Sequence, residues 1–140
     1  ASGPNFVRGL DEPQKTLFTS RRTTWDELDA ELQKYAALTD YEGIAYGLSK
    51  AAVNAYTKLA ARTYPALRVN ACSPGFCRTE IAGPNADYSE REPKAPALGA
   101  DVVVKLLFDD ALSQATGKFF KECSKPGTAV EDAVSREEPW

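Results

Sequence analysis

The 140-residue sequence has no histidine, no methionine and only three cysteines. Without histidine there can be no Ser-His-Asp or Cys-His nucleophile system and no His-based metal catalysis. Acid–base chemistry is left to Tyr, Lys, Asp, Glu or Cys. Cys72, Cys77 and Cys123 are odd in number, so they form no complete framework of bridges. The spacing from Cys72 to Cys77 is too wide for the usual zinc knuckle. Reduced thiols in a cytoplasmic setting, with no metal site, are the expectation. No stretch approaches the roughly 18 apolar residues of a membrane span, and Val102-Val103-Val104 is cut by Lys105. No secretory leader pattern opens the chain. A net charge of −3 gives no basic excess, so neither nucleic acid nor a membrane is expected as a partner.

What remains is ordinary globular composition, 43% apolar and 26% charged, which excludes a disordered tail, a collagen-like fibre and a disulfide scaffold. Residues 1–22 are dense in turn formers (Gly3, Pro4, Asn5, Gly9, Pro13) and are expected to be a loop. Thr24-Trp25-Asp26-Glu27 is a capping-box pattern. Trp25, Leu28, Leu32, Tyr35 and Leu38 follow at helical spacing, which predicts a helix over 24–38. A second helix is expected over about 45–62, where Ala51, Ala52, Ala55, Ala60 and Ala61 let another element come close. Leu67 to Cys72 has a strand pattern, ended by Ser73-Pro74-Gly75. Residues 78–96 read as a long, mobile, charged loop of the kind that often covers a site. A helix over about 97–108, a short strand at 118–120 and a polar tail at 124–140 complete the chain. Helices alternating with strands argue for parallel strands in an α/β sheet. Two strands cannot make a well-covered sheet, so the expected fold is the second half of a doubly wound one.

Tyr46 and Lys50 are four residues apart near the start of the second helix. On a helix, i and i+4 share a face about 5–6 Å apart at Cβ. A cation beside a phenol favours the phenolate, and the helix N-terminus adds positive potential in the same sense. Such a pair can donate a proton to a carbonyl oxygen or take one from an alcohol. By itself the spacing is a weak signal, and a chance surface pair is the better reading of it.

The neighbours change that balance. Tyr46-Gly47-Leu48-Ser49-Lys50-Ala51-Ala52 is followed in order by Arg68-Val69-Asn70, Pro74-Gly75 and Thr79. This series resembles the short-chain dehydrogenase/reductase family. Pro74 through Gly83 is similar to its NADPH carbonyl reductase branch, whose inserted helical segment before the active-site Tyr would correspond to 23–38. The resemblance covers roughly residues 1–5 and 42–122. It implies a Rossmann-type doubly wound parallel sheet, of which residues 1–140 hold the C-terminal half, and NADP(H) as cofactor. It implies Tyr46 as the general acid for reduction of a small carbonyl compound, and Lys50 as the group that holds the nicotinamide ribose and supports the phenol. Pro74 and Gly75 would let the backbone approach the nicotinamide, and Cys77, Arg78 and Thr79 would contact its carboxamide or the diphosphate. The inserted helix would cover the surface other members use to pair, so the intact form is expected to be a monomer.

The sequence also departs from the family. It has no Gly-rich phosphate-binding turn and no Asn-Ala-Gly segment. Aligning Gly3 with the glycine that follows the family's catalytic serine puts that serine just before Ala1, and a slipped register would give the role to Ser2. The N-terminal cofactor-binding half is therefore expected to be absent, and the chain alone to have little reductase activity. The alternatives are a truncated, non-enzymatic relative that binds another chain through its open sheet edge, and a small α/β binding module with an accidental Tyr–Lys pair.

Overall fold

The computed structural model describes residues 3–38, 42–82, 89 and 91–137. The chain divides into two units. The first is built from residues up to Ala71 together with 116–118, and the second from 72–115 and the residues after 118.

The first unit is mainly helical: α1 (Gly3–Arg8), α2 (Glu12–Thr19), α3 (Trp25–Ala36) and α4 (Glu42–Thr63). The loop expected over 1–22 is corrected where it is described: residues 3–22 hold two helices, because their turn formers act as helix punctuation. The Asp11 carboxylate caps α2 by accepting from the Gln14 N–H, and Pro13 sits in the first turn, where no N–H is needed. The capping box of α3 forms as expected. Thr24 Oγ1 accepts from the Glu27 N–H, and Glu27 Oε2 accepts from the Thr24 N–H at 2.8 Å. That backbone bond holds the Glu27 carboxyl below the usual carboxylate range. The core gathers Val7, Phe18, Leu28, Ala51 and Ala55, with Phe6, Leu32 and Tyr35 packed against it. The alanines of α4 do allow close approach. A Cβ on Gly3 would lie 2.7 Å from Ala51 N and 2.8 Å from Lys50 C, so only glycine fits where α1 meets α4. Lys58 Nζ donates to Thr19 O at 2.7 Å, and Arg62 donates to Thr23 O at 2.9 Å. These bonds fix the α2–α3 connection on α4. Val69 O accepts from Gly117 N and Ala71 N donates to Lys118 O, with numbers rising together, so the two segments run parallel.

The second unit holds β1 (Ala71–Ser73, continuing from the first unit), α5 (Pro96–Phe108), β2 (Phe119–Glu122) and β3 (Ser135–Glu137), in strand order β1-β2-β3. Two expectations are corrected here. The segment 124–140 is not simply a tail, because it returns as β3. β3 runs antiparallel to β2, with Lys121 opposite Arg136, so the sheet is mixed rather than parallel. The connection carries a turn at Lys125–Thr128 and a 3-10 turn at Val130–Asp132 but no crossover α-helix of the kind that joins parallel strands. Leu98 and Val102 of α5 are buried, as are Phe120 of β2 and Ala133. α5 packs on β2, and Lys105 Nζ ties it to Ala133 O at 2.6 Å. This is an incomplete Rossmann-type α/β fold: helices with a small mixed sheet. Among the described residues, no helix is long and apolar enough to cross a membrane.

Candidate active site

In α4 the small residues face inward. Gly47, Ala51, Asn54 and Ala55 are buried, whereas Tyr46, Ser49, Lys50 and Val53 are exposed. That division follows from the 3.6-residue period, which places 46, 49, 50 and 53 on one side of the cylinder. Tyr46 is 59% exposed, and Lys50 Nζ lies 5.4 Å from the centroid of its ring. The phenol and the ammonium therefore meet as the spacing predicts, with the cation near the electron-rich ring. Ser49 Oγ donates to Tyr46 O at 2.8 Å, which occupies that hydroxyl within the helix. Gly3 packs on the backbone at Lys50, but Ser2 itself lies outside the described residues.

Pro74, Gly75, Cys77, Arg78 and Thr79 come together on one turn of the second unit. Cys77 Sγ donates to Pro74 O at 3.3 Å. Cys77 and Lys94 form a parallel bridge: Arg78 N donates to Lys94 O and Lys94 N to Phe76 O, both at 2.9 Å. Both ends of the predicted long loop are thus pinned; residues 83–88 and 90 lie outside the described residues. Gly75 has φ +77°, a conformation that favours glycine. A Cβ there would lie 2.6 Å from Lys94 Nζ and 3.0 Å from Lys94 Cε. The space the glycine leaves is filled by the protein's own lysine. Lys94 makes an ion pair with Glu122, and both side chains are buried.

Lys94 and Glu122 were not legible as site residues. Lys94 sits in a proline-bearing loop with no spacing signal. One sign was available at Glu122. In a strand, Phe120 and Glu122 share a face, so burying that phenylalanine also buries a carboxylate, which must find a cation. A groove of about 330 Å³ opens beside Phe76, with Arg91 5.4 Å from the ring centroid and Lys121 and Arg136 at its rim. Burial pushes the Cys72 thiol up, the opposite of what a reactive thiolate needs. Among the described residues, no three Cys, Asp or Glu side chains gather in a way that would hold a metal ion.

The exposed Lys50 ammonium of the first unit suits the ribose hydroxyls of a nicotinamide cofactor. In the second unit, the backbone of Lys94 holds the turn at 74–79 through its bonds to Phe76 and Arg78. For the diphosphate and adenine the sequence offers no Gly-rich turn.

Residues 31–118 match a family profile described as enoyl-(acyl carrier protein) reductase, a profile of the short-chain dehydrogenase/reductase family. Among curated proteins, the chain is 31% identical over 129 residues to carbonyl reductase (NADPH) 1 of Sus scrofa, covering 79% of this chain and 43% of that protein. It is 37% identical over 84 residues to salutaridine reductase of Papaver somniferum, covering 59% and 24%. A 40-residue stretch is 58% identical to (-)-isopiperitenone reductase of Mentha piperita, covering 26% and 13%. The chain thus spans less than half the length of these relatives.

Proposed function

The chain belongs to the short-chain dehydrogenase/reductase family, and from that premise we propose that it carries the C-terminal catalytic half of an NADP(H)-dependent carbonyl reductase. The observation that carries this reading is the solvent-facing pair on α4, with Lys50 Nζ 5.4 Å from the Tyr46 ring. Reduced nicotinamide, when bound, supplies the hydride for the carbonyl carbon. Tyr46 gives its O–H proton to the carbonyl oxygen, which completes the alcohol. The Lys50 ammonium stabilises the negative charge left on the Tyr46 oxygen and hydrogen-bonds the ribose hydroxyls. Pro74, Gly75, Cys77, Arg78 and Thr79 receive the nicotinamide end, and Ser2 is a candidate to orient the substrate oxygen. This sequence offers no Gly-rich turn to grip the adenine end. The helix within 23–38 is an insertion that covers a pairing surface, so the enzyme works as a cytoplasmic monomer.

The test is NADPH-dependent reduction of a panel of small aldehydes and ketones by the protein at its native length, beside Tyr46→Phe. Turnover in the first and near-silence in the second is the expected result. Equal turnover in both contradicts the role given to Tyr46, and none in either contradicts the reading as a whole and leaves a non-enzymatic role for this fold.

A further inference from the structure

The proposed chemistry makes no use of the one buried ion pair among the described residues, Lys94 with Glu122, although it adjoins the turn at 74–79. Their side chains are 6% and 0% exposed. Two buried charges are costly to desolvate, and a well-packed apolar pair is often as stable. The position of the pair tells more than its energy. Lys94 braces the turn in three ways. Its N–H donates to Phe76 O and its O accepts from Arg78 N. Its Nζ fills the space beside Gly75, and it also donates to Glu122 O at 3.3 Å. α5 also packs on the turn through Gly99. A Cβ on that residue would lie 2.5 Å from Cys77 Sγ and 3.0 Å from Pro74 Cβ. The turn is thus contacted both by a member of a buried salt bridge and by a helix.

We infer that Lys94 is a positioning residue: its buried pair with Glu122 holds residues 74–79 in the one conformation that receives the nicotinamide end of the cofactor. This rests on the reading given above. Lys94 never meets substrate. It sets where the backbone of Gly75 through Thr79 stands. A displacement of about an ångström in such a support costs roughly a hundredfold in kcat/KM, so a partial loosening is expected to cost about tenfold. Because the turn grips cofactor alike before and during reaction, the loss falls on KM rather than on kcat. Burial also pulls the Lys94 ammonium below the usual lysine value, with Arg91 and Lys121 adding in the same sense.

The experiment compares the native-length protein with Lys94→Met and with Lys94→Met/Glu122→Gln. The double variant removes both charges at nearly constant volume and keeps the protein folded if the single variant fails. Two readouts are taken: steady-state kinetics against NADPH, and the alkylation rate of each cysteine resolved by peptide mass spectrometry. The expected result is an NADPH KM raised about tenfold with kcat nearly unchanged. Cys77 alkylation, in the same variants, is expected to accelerate several-fold while Cys72 keeps its rate. A folded double variant with wild-type KM and wild-type Cys77 labelling overturns the inference, as does a loss confined to kcat. A wild-type protein that binds no NADPH overturns the cofactor reading itself. The thiol rates, which need no cofactor, then decide by themselves whether the pair holds the turn.

Discussion

In the helical unit, Tyr46 and Lys50 stand in solvent on one side of α4, with the Lys50 ammonium 5.4 Å from the centroid of the Tyr46 ring. In the strand-bearing unit, Lys94 and Glu122 are sealed from water and bound to each other. A solvated cation costs the fold little, so it is available to a ligand, and losing it hardly disturbs the packing. A buried cation is part of the architecture, and its removal strands a carboxylate in an apolar interior. On the proposed reading, the same residue type serves chemistry in one unit and shape in the other. Exposure, rather than identity, tells the two apart.

The contrast can be broken by substitutions on either side. The largest effect is expected at Tyr46. Tyr46→Phe in the native-length protein should lower kcat for carbonyl reduction by roughly 10²–10⁴-fold, the usual worth of a positioned proton donor. Its urea unfolding curve should stay within about 0.5 kcal/mol of wild type, as for other exposed sites. Lys94→Met should do the reverse and destabilise by about 3–5 kcal/mol, with much of that regained when Glu122→Gln is added. Chemical denaturation of the three proteins measures it. Thr24→Ala tests local structure alone. It removes the hydroxyl that accepts from Glu27 N and should cost about 1 kcal/mol, with no change in NADPH affinity.

The smallest effect is expected at Lys58, which lies between the two extremes. Half-buried against Thr19 O and near Arg21, its ammonium is lowered to about 8, burial being the main cause. The unfolded chain then holds a proton at Lys58 that the folded chain has lost between about pH 8 and pH 10.5. Stability from this group therefore rises across that window and is lost as pH falls through about 8. The difference in unfolding midpoint between wild type and Lys58→Met, followed from pH 7 to pH 10.5, should shift in favour of wild type as pH rises. A constant difference would show that Lys58 stays charged throughout.

The helical unit was the more legible of the two. The capping box at Thr24, the helix that follows it and the alanine face of α4 are local signals that became the elements they predict, although the expected stripe holds only at Leu28, Leu32 and Tyr35: Trp25 is exposed, and Leu38 is exposed and lies past the end of α3. The pairing of Tyr46 with Lys50 is likewise fixed by one turn of helix. Gly3 and Pro13 misled because glycine and proline end helices and also begin them, and only a cap such as Asp11 separates the two uses. The strand-bearing unit hid its main features because they are long-range. Lys94 and Glu122 are 28 residues apart, and no local pattern joins them. β3 was missed for a similar reason: Ser135-Arg136-Glu137 has no strand propensity of its own and is ordered by pairing with β2.

The most direct single measurement is the rate of carbonyl reduction by native-length Tyr46→Phe at saturating NADPH, with cofactor affinity taken by fluorescence in the same samples. Unchanged NADPH binding together with a rate reduced at least about a hundredfold is the expected outcome. A variant that reduces carbonyls as fast as wild type would mean that the phenol on α4 is surface and nothing more.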